Sequence, residues 1–194
     1  MARIGQAVRR RLVEPEGGRR VTAVAASAPG RFPTNQDLDP DRLREAFGTF
    51  PSGVVAVAAT VDDLPVGLAA SSFTSVSLDP PLVSFSIANT SKTWPDLRTA
   101  THLGVTILAD HHGVVARQLA GPVERRFEGL DLVATAEGAV TLADGLASFD
   151  TTIHEEVAAG DHTIVLLRLH AVQRAEATSP LVFHGSVFRR LMVD

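Results

Sequence analysis

The feature that most limits how this chain can fold is a series of short apolar, β-branched segments separated by turn residues. Residues 54–61 form the first segment, and after Asp62-Asp63 a second apolar run covers residues 64–71. Segments of this length and composition, bounded by turn residues, are typical of strands. Further strands are predicted over residues 82–87, 102–108, 153–157, 163–172, 181–183 and 187–192, the last two as a hairpin.

Helical patterns are few and short, which favours a mainly β fold. Asp39 is placed to cap a helix that begins with Pro40 and reaches residue 48, and residues 50–53 are predicted to turn. Two more helices are predicted over residues 93–100 and 112–120. Since strands do not alternate with long helices and no Gly-x-Gly-x-x-Gly pattern is present, a Rossmann-type sheet is disfavoured. The pattern predicts a barrel or sandwich with short helices.

Composition excludes several classes of protein. The chain has 194 residues, a formal net charge of -4 and no cysteine, so disulfides, thiolate metal sites and cysteine nucleophiles are ruled out. Mild acidity argues against nucleic acid as a partner. No apolar run approaches the roughly 20 residues that a membrane helix needs, and residues 1–13 have no apolar core typical of a secretory signal. We therefore expect a cytoplasmic protein that binds no membrane.

Residues 1–36 differ in composition from the rest and are predicted to be a separate N-terminal arm. Arginines cluster there, acidic residues are scarce, and Pro and Gly interrupt the segment repeatedly. This composition favours a flexible or loosely docked arm. The alternatives are a basic arm that grips a partner subunit and an organellar transit peptide. Residues 37–194 are predicted to form the folded domain.

The first of three polar segments that break the apolar pattern covers residues 67–75. Small residues near Gly67 would let a ligand approach the backbone closely. The hydroxyl groups that could donate to phosphate or ring oxygens belong to Ser71, Ser72, Thr74 and Ser75. The alternative is an ordinary strand end rich in hydroxyl groups, since such clusters are common at turns.

The second polar segment, residues 89–94, follows the strand predicted over residues 82–87. Ser91 or Thr93 is placed to cap the next helix, whose N-terminal N–H groups would favour an anion, and Lys92 adds positive charge. This arrangement predicts a phosphate pocket, and the alternative is a capped helix start with a solvated lysine.

The third polar segment is Gly160-Asp161-His162, at the start of the longest predicted strand. A histidine beside an aspartate is suited to acid–base work or to holding a ligand, although a turn followed by an ordinary strand residue also fits. Asp110-His111-His112 and His154 with two glutamates resemble metal ligands, but no helical His-x-x-x-His pair is present. We predict no metal site, and no motif supports a Ser–His–Asp triad.

Several motifs occur in order along residues 43–191. They are FPSGV (50–54), PVGLAASSF (65–73), SLDPPLV (77–83), NTSKTW (89–94), RFEG (126–129), GDH (160–162) and PLVF (180–183). In number, order and spacing they resemble the flavin reductase family, which includes the reductase components of two-component flavin-dependent monooxygenases. The resemblance implies an FMN-binding split β-barrel, mainly β with short helices, and a homodimer.

The resemblance also implies which residues bind the cofactor. The isoalloxazine ring and ribityl chain would lie against Gly67, Leu68, Ala69, Ser71 and Ser72. Backbone groups at the ring edge would come from Ser86, Ile87 and Ala88. The phosphate or an adenylate extension would meet Ser91, Lys92, Thr93, Arg117 and Gln118, with Phe127 packed nearby. The nicotinamide side would be bordered by His162, Phe183, His184, Gly185 and Ser186.

The implied activity is hydride transfer from NADH or NADPH to FMN or FAD, with reduced flavin passed to a monooxygenase. In such chemistry the cofactors carry the reaction, so His162 is expected to position the donor rather than to act as an indispensable acid or base. The chain departs from the family at Leu167, where Gly is usual, and in a C-terminal hairpin without Tyr. The alternatives are a split barrel that binds flavin without reducing it and an oxidoreductase that uses a deazaflavin.

Overall fold

The computed structural model of this chain describes residues 38–175 and 179–191, so the predicted N-terminal arm lies outside the described residues. The strands are β1 (Ser52–Gly53), β2 (Val55–Val61), β3 (Leu64–Ala70), β4 (Thr74–Leu78), β5 (Pro81–Ala88), β6 (Leu103–Ile107), β7 (Leu132–Ala134), β8 (Val140–Leu142), β9 (Ala147–Ala159), β10 (His162–Arg174), β11 (Leu181–His184) and β12 (Val187–Arg190). The α-helices are α1 (Pro40–Gly48), α2 (Trp94–Leu97) and α3 (Gly113–Leu119). The mainly β prediction is confirmed.

Seven strands form one antiparallel sheet in the order β3-β2-β6-β9-β10-β5-β4. The predicted turn at Asp62-Asp63 joins β2 to β3, and both aspartates have positive φ, as a two-residue hairpin turn requires. Two smaller sheets, β1-β11-β12 and β7-β8, complete the fold. The predicted C-terminal hairpin is β11-β12, joined through Gly185 and Ser186, which also have positive φ.

Some predictions of local structure were wrong, and three strands were missed. Ser52–Gly53, predicted as part of a turn, is strand β1, paired with β11. The helix predicted over residues 93–100 covers only Trp94–Leu97, and the strand predicted over residues 153–157 is the longer β9. β4, β7 and β8 were not predicted, because β4 is rich in Ser and largely exposed, and β7 and β8 have three residues each.

The buried core has two parts. The larger lies on the inner face of the seven-stranded sheet, where Phe85 meets Trp94 of α2 in an edge-to-face contact with ring centroids 5.6 Å apart. The smaller part packs α3 and the β11-β12 hairpin against residues such as Val54 and Leu108. Apolar burial of this kind is the main favourable term in folding.

The β7-β8 hairpin lies across β2 and β6. Leu142 of β8 donates its backbone N–H to the buried hydroxyl of Thr106, with 3.1 Å between the atoms. A side chain at Gly104 would collide with the Val140 backbone, so the crossing needs glycine there. None of the helices between residues 38 and 191 has the length and apolarity that crossing a membrane requires.

Candidate functional site

A cleft of about 260 Å³ opens where β3, β5 and β10 come together. The pairing of β10 with β5 sets His162 opposite Ala88, so the start of β10 lies beside the end of β5. The predicted cofactor residues that line this cleft are Leu68, Ala69, Ser71, Ser72, Ser86, Ile87 and His162. The structure therefore brings together predicted residues of the β3 end, β5 and the start of β10, whereas the phosphate segment and the predicted residues 183–186 do not line this cleft.

Ser72 and Ser86 close the cleft by bonding to each other. The Ser72 hydroxyl accepts the Ser86 backbone N–H at 2.9 Å and donates to the Ser86 carbonyl oxygen at 3.1 Å. The Ser72 proton and both Ser86 backbone groups are thus used within the protein, whereas the resemblance implies that they face the cofactor. The two residues fix the spacing between the β3 end and β5, and leave the hydroxyls of Ser71 and Ser86 for a ligand.

His162 lies at the cleft with its ring oriented by the preceding residue. Its Nδ1 is 2.8 Å from a carboxylate oxygen of Asp161, and since a carboxylate only accepts, Nδ1 carries the proton. The hydrogen bond from His162, together with its charge, lowers the pKa of the Asp161 carboxyl below its usual value. A neutral His162 therefore keeps Nε2 as a hydrogen-bond acceptor.

Asn89 holds the turn that carries His162. Its side-chain amide donates to the Gly160 carbonyl at 3.2 Å and accepts from the Thr163 hydroxyl at 3.0 Å, and its backbone N–H donates to Asp161 O at 2.9 Å. Gly160 has a positive φ, which glycine adopts without strain. Asn89 is predicted from the sequence to belong to the phosphate segment, whereas the structure makes it a positioning residue for His162.

One of the two caps predicted for the phosphate segment is present, but the helix that follows is shorter than predicted. Ser91, rather than Thr93, accepts the first helical N–H, that of Trp94, at 3.2 Å. Because α2 has only four residues, its aligned peptide dipoles are too few for the expected anion effect. Lys92 is exposed beside this turn, and Thr93 is buried.

Arg126 is the cation that sequence reasoning did not assign. Its Nη1 donates to the Gly67 carbonyl and to the Thr93 hydroxyl, both at 2.8 Å, and its Nε donates to the Gly121 carbonyl at 2.9 Å. Burial lowers the pKa of the guanidinium below its usual value, and Glu124 opposes the shift. Arg126 is the first residue of the RFEG motif, which could have pointed to it. The sequence alone does not show that Arg126 makes these contacts while the neighbouring Arg125 is exposed.

Phe127 packs against the strand that forms the cleft floor. A Cβ atom at Gly67 would lie 2.4 Å from the Val57 carbonyl oxygen and 2.8 Å from the Phe127 ring. Gly67 therefore allows close packing beneath the floor of the cleft rather than a close approach of the ligand, which is a different reason from the one that the sequence suggested.

Helix α3 supports the loop of residues 125–128, which carries Arg126 and Phe127. The Gln118 side-chain amide donates to the carbonyls of Arg125 and Glu128 at 3.1 and 2.9 Å, so its donors hold the loop instead of a phosphate. Arg117 lies over the Phe188 ring, with its guanidinium carbon 5.2 Å from the ring centroid. Gln118 is thus a positioning residue in this conformation, and a phosphate role for Arg117 stays a prediction.

Two more clefts adjoin the first through Ser71, which lines all three. An apolar cleft of about 170 Å³ lies between Ala69, α3 and Phe183. A groove of about 390 Å³ lies between α1 and the C-terminal hairpin, with Phe183 and Ser186 on one wall. His184 and Gly185, which were predicted with them, line none of the three.

One histidine cluster within the described ranges has the spacing of a metal site. His111, His112 and Asp144 have ligand atoms within 4.8 Å of one another. However, Nδ1 of the buried His112 accepts the Ala109 N–H at 3.0 Å, so Nε2 carries the proton and donates to Asp144 at 3.0 Å. A protonated Nε2 has no lone pair for a metal, and we interpret the cluster as a hydrogen-bonded one.

The sequence of this chain is similar to a known family and to several characterised proteins. Residues 47–192 match the family described as flavin reductase like domain. The stachydrine N-demethylase reductase subunit of Rhizobium meliloti is 38% identical over 135 residues, covering 69% of this chain and 59% of that protein. A flavin reductase of Pseudomonas putida is 35% identical over 148 residues, covering 76% of this chain and 87% of that protein.

A solved structure has the same fold. The NADH:FAD oxidoreductase of Streptomyces globisporus, in complex with NAD and FAD fragments, aligns with a TM-score of 0.75 and 34% identity, covering 80% of this chain and 94% of that one. The split-barrel prediction is confirmed by this likeness. The chain spans about half the length of the first three curated relatives that it matches. The chain belongs to the flavin reductase like domain family.

Proposed function

We propose that this protein is an NAD(P)H-dependent flavin reductase that transfers a hydride from NADH or NADPH to FMN or FAD. The observation that carries the proposal is the cleft itself, with a floor of small and apolar side chains, free serine hydroxyls and an oriented histidine at its edge. Such a site suits a planar ring with polar edges. Relatives named flavin reductase and NADH:FMN oxidoreductase support the same activity.

The residues of this chain would bind and orient the two cofactors. A bound flavin would supply the chemistry by accepting the hydride that the nicotinamide carries. Leu68, Ala69 and Ile87 would exclude water from one face of the ring, and the Ser71 and Ser86 hydroxyls would bond to its polar groups. Lys92 and Arg126 supply positive charge near the phosphate segment. His162 would accept a hydrogen bond at Nε2 from the carboxamide of the donor.

The activity is tested by mixing the purified protein with NADH or NADPH and FMN or FAD, and following the nicotinamide absorbance. We expect turnover with at least one pair. Bound flavin without turnover from either donor would instead favour the flavin-binding module, and turnover confined to a deazaflavin would favour the third alternative.

The His162→Ala variant is expected to raise the KM for the donor about ten-fold while the Kd for flavin stays within about two-fold of the wild-type value. The reason is that one hydrogen bond is lost on the donor side only. Stopped-flow kinetics with a separate flavin titration measures both quantities. His154→Ala, an exposed histidine on β9, is the matched control. Lost flavin binding with intact donor affinity would contradict the role given to His162.

We further propose that the protein is a homodimer that supplies reduced flavin to a monooxygenase. β4 is an edge strand of the seven-stranded sheet, and its Leu78 side chain is 96% exposed, which suits a contact between subunits. Relatives described as reductase components of such systems support the monooxygenase partner. Light scattering on the full chain and on residues 37–194 tests the dimer and the contribution of the arm. The cytoplasmic location stays a prediction.

A further inference from the structure

The carboxylate of Glu156 on β9 contacts helix α2 at two points and has no role in the site described so far. It accepts the indole N–H of Trp94 at 2.9 Å, and it pairs with the guanidinium of Arg98, the residue that follows the last turn of α2. The Glu156 side chain is 24% exposed, and Trp94 is buried with its ring edge-to-face against Phe85. One carboxylate therefore binds both ends of this short helix.

Packing fixes α2 on one side more closely than on the other. Leu97 is fully buried, and α2 contacts β2 and β3. Between α2 and the β9-β10 hairpin lies a cavity of about 310 Å³, with Trp94, Thr163 and Glu156 among its lining residues. On that side the helix is attached through the two contacts of Glu156 rather than by close packing.

The position of α2 determines the position of the phosphate segment. The Trp94 N–H donates to the Ser91 hydroxyl at 3.2 Å. The hydroxyl of Thr93 accepts from Arg126 at 2.8 Å, and the same guanidinium bonds to the floor of the flavin cleft. A displacement of Trp94 would therefore move Ser91 and Thr93, which flank Lys92, relative to that floor.

We propose that Glu156 is a positioning residue for the phosphate group of the flavin. By fixing Trp94, it sets the position of the phosphate segment and so the affinity that the phosphate adds to flavin binding. The inference rests on the proposed function, because it takes this segment as the place where the phosphate binds. The Glu156 charge itself repels a phosphate, so its effect through position is opposite in sign to its effect through charge.

The test compares FMN with riboflavin, which has the same ring and ribityl chain but no phosphate. In the Glu156→Ala variant of the full-length protein, the Kd for FMN is expected to rise about ten-fold, because Trp94 loses its charged hydrogen-bond partner. The Kd for riboflavin should stay within about two-fold of the wild-type value, since riboflavin has no group at the phosphate segment. Fluorescence titration with each flavin measures both constants without turnover.

Glu155→Ala is the matched control, because Glu155 is the exposed neighbour of Glu156 on β9 and carries the same charge. It is expected to leave both Kd values within about two-fold of the wild type. Glu156→Gln loses the charge but keeps an oxygen that can accept from Trp94, so it should recover most of the FMN affinity.

The Trp94→Phe variant tests the same contact from the other side and carries the prediction if Glu156→Ala does not fold. It keeps an aromatic ring beside Phe85 but removes the indole N–H. It should raise the Kd for FMN about as much as Glu156→Ala does, and the double variant should bind FMN no more weakly than either, because the two changes remove one interaction.

Three results would overturn the inference. They are a wild type that binds FMN and riboflavin equally, a Glu156→Ala protein that binds FMN as Glu155→Ala does, and a Glu156→Ala protein whose affinity for both flavins falls equally. The last would mean that Glu156 supports the whole site rather than the phosphate segment. A wild type that shows the FMN effect but oxidises neither NADH nor NADPH would refute the reductase activity alone.

Discussion

Gly104→Ala is expected to lower the free energy of unfolding by about 3 kcal/mol, because the added methyl group overpacks the crossing of β6 and β8. Its Cβ atom would lie 2.1 Å from the Val140 carbonyl oxygen and 2.5 Å from the Val140 carbonyl carbon. Both are backbone atoms, so no rotamer change relieves the collision. For a domain of this size the midpoint of thermal unfolding should fall by roughly 10 °C, measured by calorimetry or circular dichroism.

Gly53→Ala is the matched control, since Gly53 also lies in a strand but has no atom within 4 Å of an added Cβ. Its unfolding midpoint should stay close to the wild-type value. A Gly104→Ala protein as stable as the control would mean that the β7-β8 hairpin can lift away from β6 at little cost.

Arg126→Met is expected to lower the free energy of unfolding by about 3 kcal/mol and to weaken flavin binding by at least about ten-fold. The substitution keeps much of the side-chain length but leaves the carbonyls of Gly67 and Gly121 without their donor, and it releases Thr93. Arg126 links β3, through Gly67, to the segment before α2, through Thr93. The substitution removes this link between two segments of the proposed cofactor site. Chemical denaturation and a flavin fluorescence titration measure the two effects.

The neighbouring Arg125→Met is the control, because Arg125 is exposed and pairs with Glu128 on the surface. It should change neither stability nor flavin affinity appreciably. Arg126→Lys keeps the charge but not the set of three directed bonds, so it should recover part of the flavin affinity and little of the stability. Equal behaviour of Arg125→Met and Arg126→Met would contradict the role of the three hydrogen bonds that Arg126 donates.

Much of the fold could be predicted because its strands are apolar runs with clear turns. The turns at Asp62-Asp63 and Gly185-Ser186 are predicted from their turn-forming residues alone, and both are present. β4 and the β7-β8 hairpin could not be predicted, since a strand that is exposed or has three residues carries almost no periodic signal.

The structure brings many of the predicted cofactor residues to one cleft, but their contacts differ from those expected, and their role in binding flavin stays a prediction. The residues of the flavin cleft follow from motifs, and seven predicted residues do line it: Leu68, Ala69, Ser71, Ser72, Ser86, Ile87 and His162. Which atoms are free to meet a ligand depends on bonds between distant segments, such as Ser72 with Ser86 and Gln118 with Glu128. These bonds span 10 or more positions, and nothing in local sequence encodes them.

The Gly185 N–H donates to the Gly48 carbonyl at 2.9 Å, so main-chain atoms join α1 to the β11-β12 hairpin. Phe47 and Phe50, which flank this bond, are 71% and 76% exposed, so their side chains contribute little to the packing there. Substitutions at these two positions should therefore cost little stability. A library randomised at these two positions should therefore contain mostly folded proteins.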